Sequence, residues 1–200
     1  MASEADQVVG IYQRHADAWS RDRGDELREK PWLDRFLALL PPRPTVLDIG
    51  CGNGAPIARY LVEQQCRMTG VDAASAMIAR CRDRFPEHEW LVADMRAVAL
   101  HRRFDGIVAW NSLFHLPAED QRQMFTTFGD HAAPGAAVMF TSGPAAGEQV
   151  GTYRGEPLYH ASLDLDEYRA LLHDNGFDVA TQVVEDPSCG RHTIWLAQRT

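Results

Sequence analysis

Apolar positions fall into two different rhythms along this 200-residue chain. Between residues 5 and 40 they recur every three or four positions: Ile11, Tyr12, His15 and Trp19, then Trp32, Leu33, Phe36, Leu37 and Leu40. That spacing predicts helix. Pro41-Pro42-Arg43-Pro44 ends the segment and hands on an extended chain. Beyond it, short β-branched runs alternate with helical patterns. Strands are predicted at 45–49, 67–71, 89–92, 104–110, 135–141, 178–184 and 192–198, and helices at 55–64, 75–84, 118–130 and 165–175. Such alternation implies βαβ crossovers and an α/β fold, with a mostly parallel sheet covered by helices on both faces. The last two strands are separated by Glu185-Asp186-Pro187-Ser188-Cys189-Gly190, which has room for a turn but no crossover helix, so they are expected to pair antiparallel.

The most informative segment is residues 46–54, Val-Leu-Asp-Ile-Gly-Cys-Gly-Asn-Gly. Val46, Leu47 and Ile49 suit a strand buried on both faces. Gly50, Gly52 and Gly54 follow where side chains would keep a ligand from the backbone. A helical pattern then begins at Ala55, giving strand, glycine turn and helix. The spacing is G-x-G-x-G, with Asp48 two residues ahead of it. The dinucleotide fingerprint is spaced differently, as G-x-G-x-x-G.

This nine-residue string resembles motif I of the class I S-adenosylmethionine-dependent methyltransferases. The resemblance extends over roughly residues 8–200. It implies a Rossmann-like sheet of seven strands with a terminal antiparallel hairpin. One domain over 1–200 is expected, with an N-terminal helical lid (1–42) and a Rossmann-like core (43–200). It also implies S-adenosylmethionine as cofactor and S-adenosylhomocysteine as product.

Motif by motif, the resemblance places further residues on the cofactor. Gly50, Cys51, Gly52 and Gly54 would approach its amino acid portion, while Asp48 would order the turn and orient the amino group. Asp72, with Ala73 beside it, closes the second strand 22 positions after Gly50 and corresponds to the ribose-binding acid. An acid there can also cap the helix that follows, and the two roles are compatible. Asp94 and Met95 follow the third strand, where the family's adenine contacts lie. Trp110 and Asn111 end the fourth strand, near the methionine moiety and the transferable methyl.

The acceptor side is less legible. His115 is the first candidate for a base or an acceptor-orienting group, and a histidine pinning the 111–117 loop is the alternative. Tyr153-Arg154-Gly155-Glu156-Pro157-Leu158-Tyr159-His160 reads as a loop too long and too aromatic to be a mere connector. Tyr159 and His160 are its candidates for acceptor contact. Tyr12 is expected on the lid, whereas core packing suffices to explain Trp19.

Composition narrows the partners. A net charge of −8, with Lys30 the only lysine, argues against a standing nucleic-acid grip and towards a small-molecule acceptor. No apolar run reaches the roughly 18 residues of a membrane span, and the N-terminus lacks the pattern of a secretory signal. A cytoplasmic monomer or homodimer is expected. Cys51, Cys66, Cys81 and Cys189 have neither C-x-x-C nor zinc-finger spacing, so no metal site is expected. Two other readings share parts of this pattern: an NAD-dependent oxidoreductase on a Rossmann fold, and a non-catalytic S-adenosylmethionine-binding module. Glycine spacing and the absence of a hydride-transfer constellation disfavour the first.

Overall fold

The computed structural model of the protein describes residues 3–200. Ser3 starts α1 (Glu4–Arg14) through a reciprocal capping box: its hydroxyl accepts from the Asp6 N–H, and the Asp6 carboxylate accepts from the Ser3 N–H. α2 (Ala16–Arg23) follows after a break at His15. α3 (Lys30–Leu37) carries Pro31 in its first turn, where a missing N–H costs nothing. The chain then alternates: β1 (Thr45–Ile49), α4 (Ile57–Glu63), β2 (Arg67–Asp72), α5 (Ser75–Arg84), β3 (Glu89–Val92), β4 (Phe104–Ala109), α6 (Ala118–His131) and β5 (Ala132–Ser142). It closes with β6 (Gly147–Tyr153), β7 (Glu156–Ser162), α7 (Leu165–Asp174), β8 (Phe177–Asp186) and β9 (His192–Arg199).

Seven strands form the main sheet in the order β3-β2-β1-β4-β5-β9-β8. β3, β2, β1, β4 and β5 pair in parallel. β9 pairs antiparallel with both β5 and β8, as the short connection between the last two strands required. β1 is central, with Val46 opposite Met68 on one side and Gly106 on the other. Flanked on both edges and covered on both faces, Val46, Leu47 and Ile49 are completely buried.

Side-chain alternation along the strands separates two cores. On one face Leu47, Ile107, Val138, Phe140 and Trp195 pack against Phe125, Phe128, Tyr168 and Leu172 of α6 and α7. Phe140 and Trp195 stack in parallel with centroids 5.7 Å apart. On the other face Val46, Met68, Val108 and Met139 meet Trp32 and Phe36 of α3, Leu61 of α4 and Ile78 of α5.

Two features differ from the reading of the sequence. α3 is not part of a lid, because Trp32, Leu33 and Phe36 are buried in the second core. The helices at the carboxyl end of the sheet are α1 and α2. Residues 153–160 are not a loop either: β6 and β7 form a separate two-stranded antiparallel sheet. Its two-residue turn is Arg154-Gly155, both at positive φ (53° and 85°), the conformation that matches hairpin twist. α1 lies on β7, burying Val8 and Ile11 against Leu158 and Ala161. Among the described residues no helix is long and apolar enough to cross a membrane.

Candidate active site

The strand order reverses between β1 and β4, and a crevice opens there beyond the carboxyl ends of the strands. α1 and α2 roof it into a cavity of about 540 Å³. Small-molecule sites commonly fall in this size range. Tyr12, Asp48, Gly50, Cys51, Gly52, Gly54, Asp72, Ala73, Asp94, Met95, Trp110, Asn111, His115 and His160 all line it. Tyr159 does not. Its side chain packs with Val8, Ile11, Leu158 and Ala161.

Backbone hydrogen bonds anchor the start of the glycine turn. The Gly50 and Cys51 N–H groups both donate to the Val71 carbonyl, at 2.8 and 3.1 Å. Gly50 has φ +75°, and a Cβ there would lie 2.2 Å from the Ser112 Cβ. Ser112 cannot retreat, because its buried hydroxyl donates to the Ile49 carbonyl at 2.7 Å. Gly52, at φ +53°, faces the Trp19 ring, 3.1 Å from where its Cβ would stand. Trp19 is therefore a wall of the cavity, a role its helical spacing did not reveal.

Besides Asp6 of α1, three carboxylates from the sheet side line this cavity, each in a different electrostatic state. Asp48 is 4% exposed and, among the described residues, no donor hydrogen-bonds its carboxylate. Burial, reinforced by the nearby charge of Asp72, pushes its pKa up to about 7. Asp72 accepts from the Gly52 N–H at 2.9 Å and the Ala74 N–H at 2.8 Å. Burial raises its pKa against the pull of those two donors. Each of its oxygens keeps a lone pair for a ligand hydroxyl. Asp94 accepts from the Arg96 N–H and from the Arg96 guanidinium, which also reaches Asp120 at 3.1 Å. Arg96 holds Asp94 below its ordinary carboxylate range.

At the end of β4, Trp110 is buried, and its indole N–H has no partner among the described residues. Its ring stands edge-on to His192, with centroids 6.0 Å apart. Asn111 adopts φ +50°, a left-handed conformation that asparagine tolerates better than most residues. Its N–H donates to the Thr141 hydroxyl at 2.9 Å, and that hydroxyl donates back to Asn111 Oδ1 at 3.2 Å. The side-chain nitrogen of Asn111 is thereby turned towards His192 Nε2, 3.4 Å away.

His115 is fully engaged. Its Nδ1–H donates to the Tyr159 carbonyl at 2.9 Å, which leaves Nε2 to accept from the Tyr12 hydroxyl, also at 2.9 Å. Burial pulls its pKa down to about 4, so the ring is neutral at physiological pH. The His160 ring lies 4.8 Å away, its own pKa also lowered by burial. Burial, then the charge of Asp72, raises the pKa of the Tyr12 phenol. Neither His115 nor Tyr12 offers a free base in this arrangement. His115 instead ties β4's following turn to β7 and to α1.

Sequence reasoning missed Arg96, Trp19, Arg23 and His192. Arg96 had a local sign, since an arginine two residues after a turn-starting Asp94 can fold back on it. His192 had none, because only sheet order brings it beside residues 110 and 111.

A family model described as "Methyltransferase domain" matches residues 19–182. The chain is 33% identical over 129 residues to trans-aconitate 2-methyltransferase of Azoarcus sp. (strain BH72), covering 64% of this chain and 47% of the relative. It is 34% identical over 144 residues to malonyl-[acyl-carrier protein] O-methyltransferase of Salmonella typhimurium, covering 70% and 49%. The chain thus spans about half the length of these curated relatives. Among solved structures, it superposes on 1,6-didemethyltoxoflavin-N1-methyltransferase of Burkholderia thailandensis with a TM-score of 0.75. Identity there is 20%, over 100% of this chain and 92% of the other. That structure holds 1,6-didemethyltoxoflavin and S-adenosylhomocysteine.

Proposed function

The chain belongs to the methyltransferase domain family, and on that premise we propose that it moves a methyl group from S-adenosylmethionine to a small-molecule acceptor. One observation carries the proposal: the segment holding Asp48 and the glycine turn, then Asp72, then Asp94 come from three different parts of the sequence and line one cavity. The residues fit the cofactor. Asp48 is a buried carboxylate that lacks a donor among the described residues, and an ammonium group would supply one. Asp72 offers two oriented oxygens to a diol. Asp94 and Met95 offer an acceptor and an apolar cover for a purine. The turn presents Gly50, Gly52 and Gly54 to the cavity, where the cofactor's amino acid portion would lie.

When bound, S-adenosylmethionine supplies an electrophilic methyl: the acceptor's lone pair bonds to carbon, and the carbon–sulfur pair returns to sulfur. The chain's own task is alignment and exclusion of water. Trp110, which is buried, and Asn111, held by Thr141, form a wall where β4 ends. Tyr12 and Trp19 close the side that α1 and α2 cover. Positioning of this kind contributes up to roughly 7–11 kcal/mol without any base. His115 acts as a positioning residue, because both its nitrogens are engaged inside the protein. An acceptor that arrives neutral loses its proton to solvent after transfer.

A small molecule is favoured over nucleic acid because the chain carries a net charge of −8. The test combines two measurements. Calorimetric titration with S-adenosylhomocysteine should give one site per chain. Labelled methyl from S-adenosylmethionine should enter the small-molecule fraction of a cell extract; label confined to protein or nucleic acid would overturn the acceptor class.

A further inference from the structure

A second chamber of about 450 Å³ lies beneath the α2–α3 connection and against the turn from β8 to β9. Arg23 and Asn111 line both this chamber and the first cavity, so the two adjoin at those side chains. Glu29, on the chamber wall, is 5% exposed. Its Oε1 accepts from the Arg23 guanidinium at 2.6 Å, while Oε2 is buried without a partner among the described residues. Leaving a buried carboxylate oxygen unpaired is costly, and proteins rarely do so without a use for it.

The charges around it select what can pair with it. Both arginines of the chamber are already matched: Arg23 with Glu29, and Arg28 with Glu26 at 2.7 Å. A carboxylate ligand would find no unpaired guanidinium there. A ligand O–H or N–H would satisfy Glu29 Oε2 once a turn of the carboxylate brings that covered oxygen to the chamber. At the junction with the first cavity stand Asn111 and, beside it, the unpartnered indole N–H of Trp110.

We propose that the second chamber is the acceptor's recognition subsite, and that it takes a polar small molecule presenting hydroxyl or amine donors to Glu29. This rests on the methyltransferase reading and narrows its substrate class. The acceptor's donor-bearing end lies against Glu29, and its reacting end passes Asn111 into the first cavity. Molecules recognised only through carboxylates are excluded.

The experiment is saturation-transfer NMR on the protein loaded with S-adenosylhomocysteine, using three probes at equal concentration. D-galactosamine carries amine and hydroxyl donors, myo-inositol carries hydroxyls alone, and trans-aconitate carries carboxylates alone. A donor-bearing probe is expected to bind, and trans-aconitate is not. Glu29→Gln preserves shape, but its amide oxygen stays with Arg23 and its NH₂ faces the ligand donor. That variant should bind the donor-bearing probe about tenfold more weakly, with affinity for S-adenosylhomocysteine unchanged. The Trp110 indole N–H resonance, assigned with Trp110→Phe, should move with the same probe in the unmutated protein, a readout independent of how Glu29→Gln folds. Binding of trans-aconitate, with or without the other probes, silence from all three probes, or undiminished binding by Glu29→Gln would overturn the proposal. Failure of S-adenosylhomocysteine to bind would instead count against the methyltransferase reading, and the same probes would then be read on the unloaded protein.

Discussion

The phenol of Tyr12 donates to His115 Nε2 across 2.9 Å, joining α1 to the turn after β4. Because Tyr159 accepts from the opposite ring nitrogen, this single imidazole links three elements that meet only in the folded chain. The roof of the cavity is thereby tied to its floor.

Tyr12→Phe removes the donor and keeps the ring. Affinity for S-adenosylhomocysteine should fall by about 1 kcal/mol, the value of one hydrogen bond at the roof. Calorimetry on the two proteins measures it directly. An unchanged affinity would show that the roof closes by packing alone.

The pH profile follows from the state of His115. Its pKa is near 4 in the folded protein, below the ordinary histidine value of 6.5, because burial disfavours the cation. Turnover should therefore show no histidine limb near pH 6.5. For stability the sign is equally definite. Below pH 6.5 the unfolded chain binds a proton that the folded chain refuses, so stability falls as pH drops towards 4. Melting temperatures taken from pH 8 to pH 4 should decline over that window, and less steeply in His115→Gln.

Asp48 behaves in the opposite sense. Its folded pKa of about 7 lies above the ordinary carboxylate value of 3.8, so the ligand-free folded protein holds a proton that the unfolded chain has released. Between those two values its contribution to stability decreases as pH rises. Asp48→Asn should therefore melt at a higher temperature than the unmutated protein at pH 8 without ligand. The same variant should bind S-adenosylmethionine more weakly, since it no longer offers a charge to the ammonium group. Thermal melts with and without ligand separate the two effects.

Asp72→Ala should weaken S-adenosylmethionine binding by about 1.5–3 kcal/mol, the range for hydrogen bonds to a charged acceptor. Gly52 also loses the acceptor for its N–H, so the turn should loosen. Faster amide exchange at Gly52 would report that loosening separately from affinity.

Gly50→Ala should be among the most damaging changes in the chain. The new Cβ would stand 2.2 Å from Ser112 Cβ in a left-handed backbone conformation. A loss of several kcal/mol is expected, since overpacking costs about 1–3 and strained φ adds about 1–3 more. Chemical denaturation of both proteins checks it, and Ser112→Gly in the same background should recover part of the loss.

Local patterning was enough to read the strand and helix succession, the antiparallel end and the positions at the carboxyl ends of the strands. Each depends on spacing within a few residues: β-branched runs, glycine turns and acids that follow a strand. The β6–β7 hairpin was not legible. β6 is largely exposed, so it carries no buried apolar alternation, and it is held by β7, itself covered by α1. Whether Tyr159 or His160 reaches the cavity depends on which way successive side chains of β7 point, and no nearby residue records that direction. The pairing of Tyr12 with His115 and the approach of His192 to Trp110 join positions far apart in the chain. Sequence by itself determined the frame and the residues that line the crevice at the carboxyl ends of its strands, because those are local matters of spacing. Tertiary structure decided which side chains are buried, paired or left wanting a partner, because long-range packing sets those states.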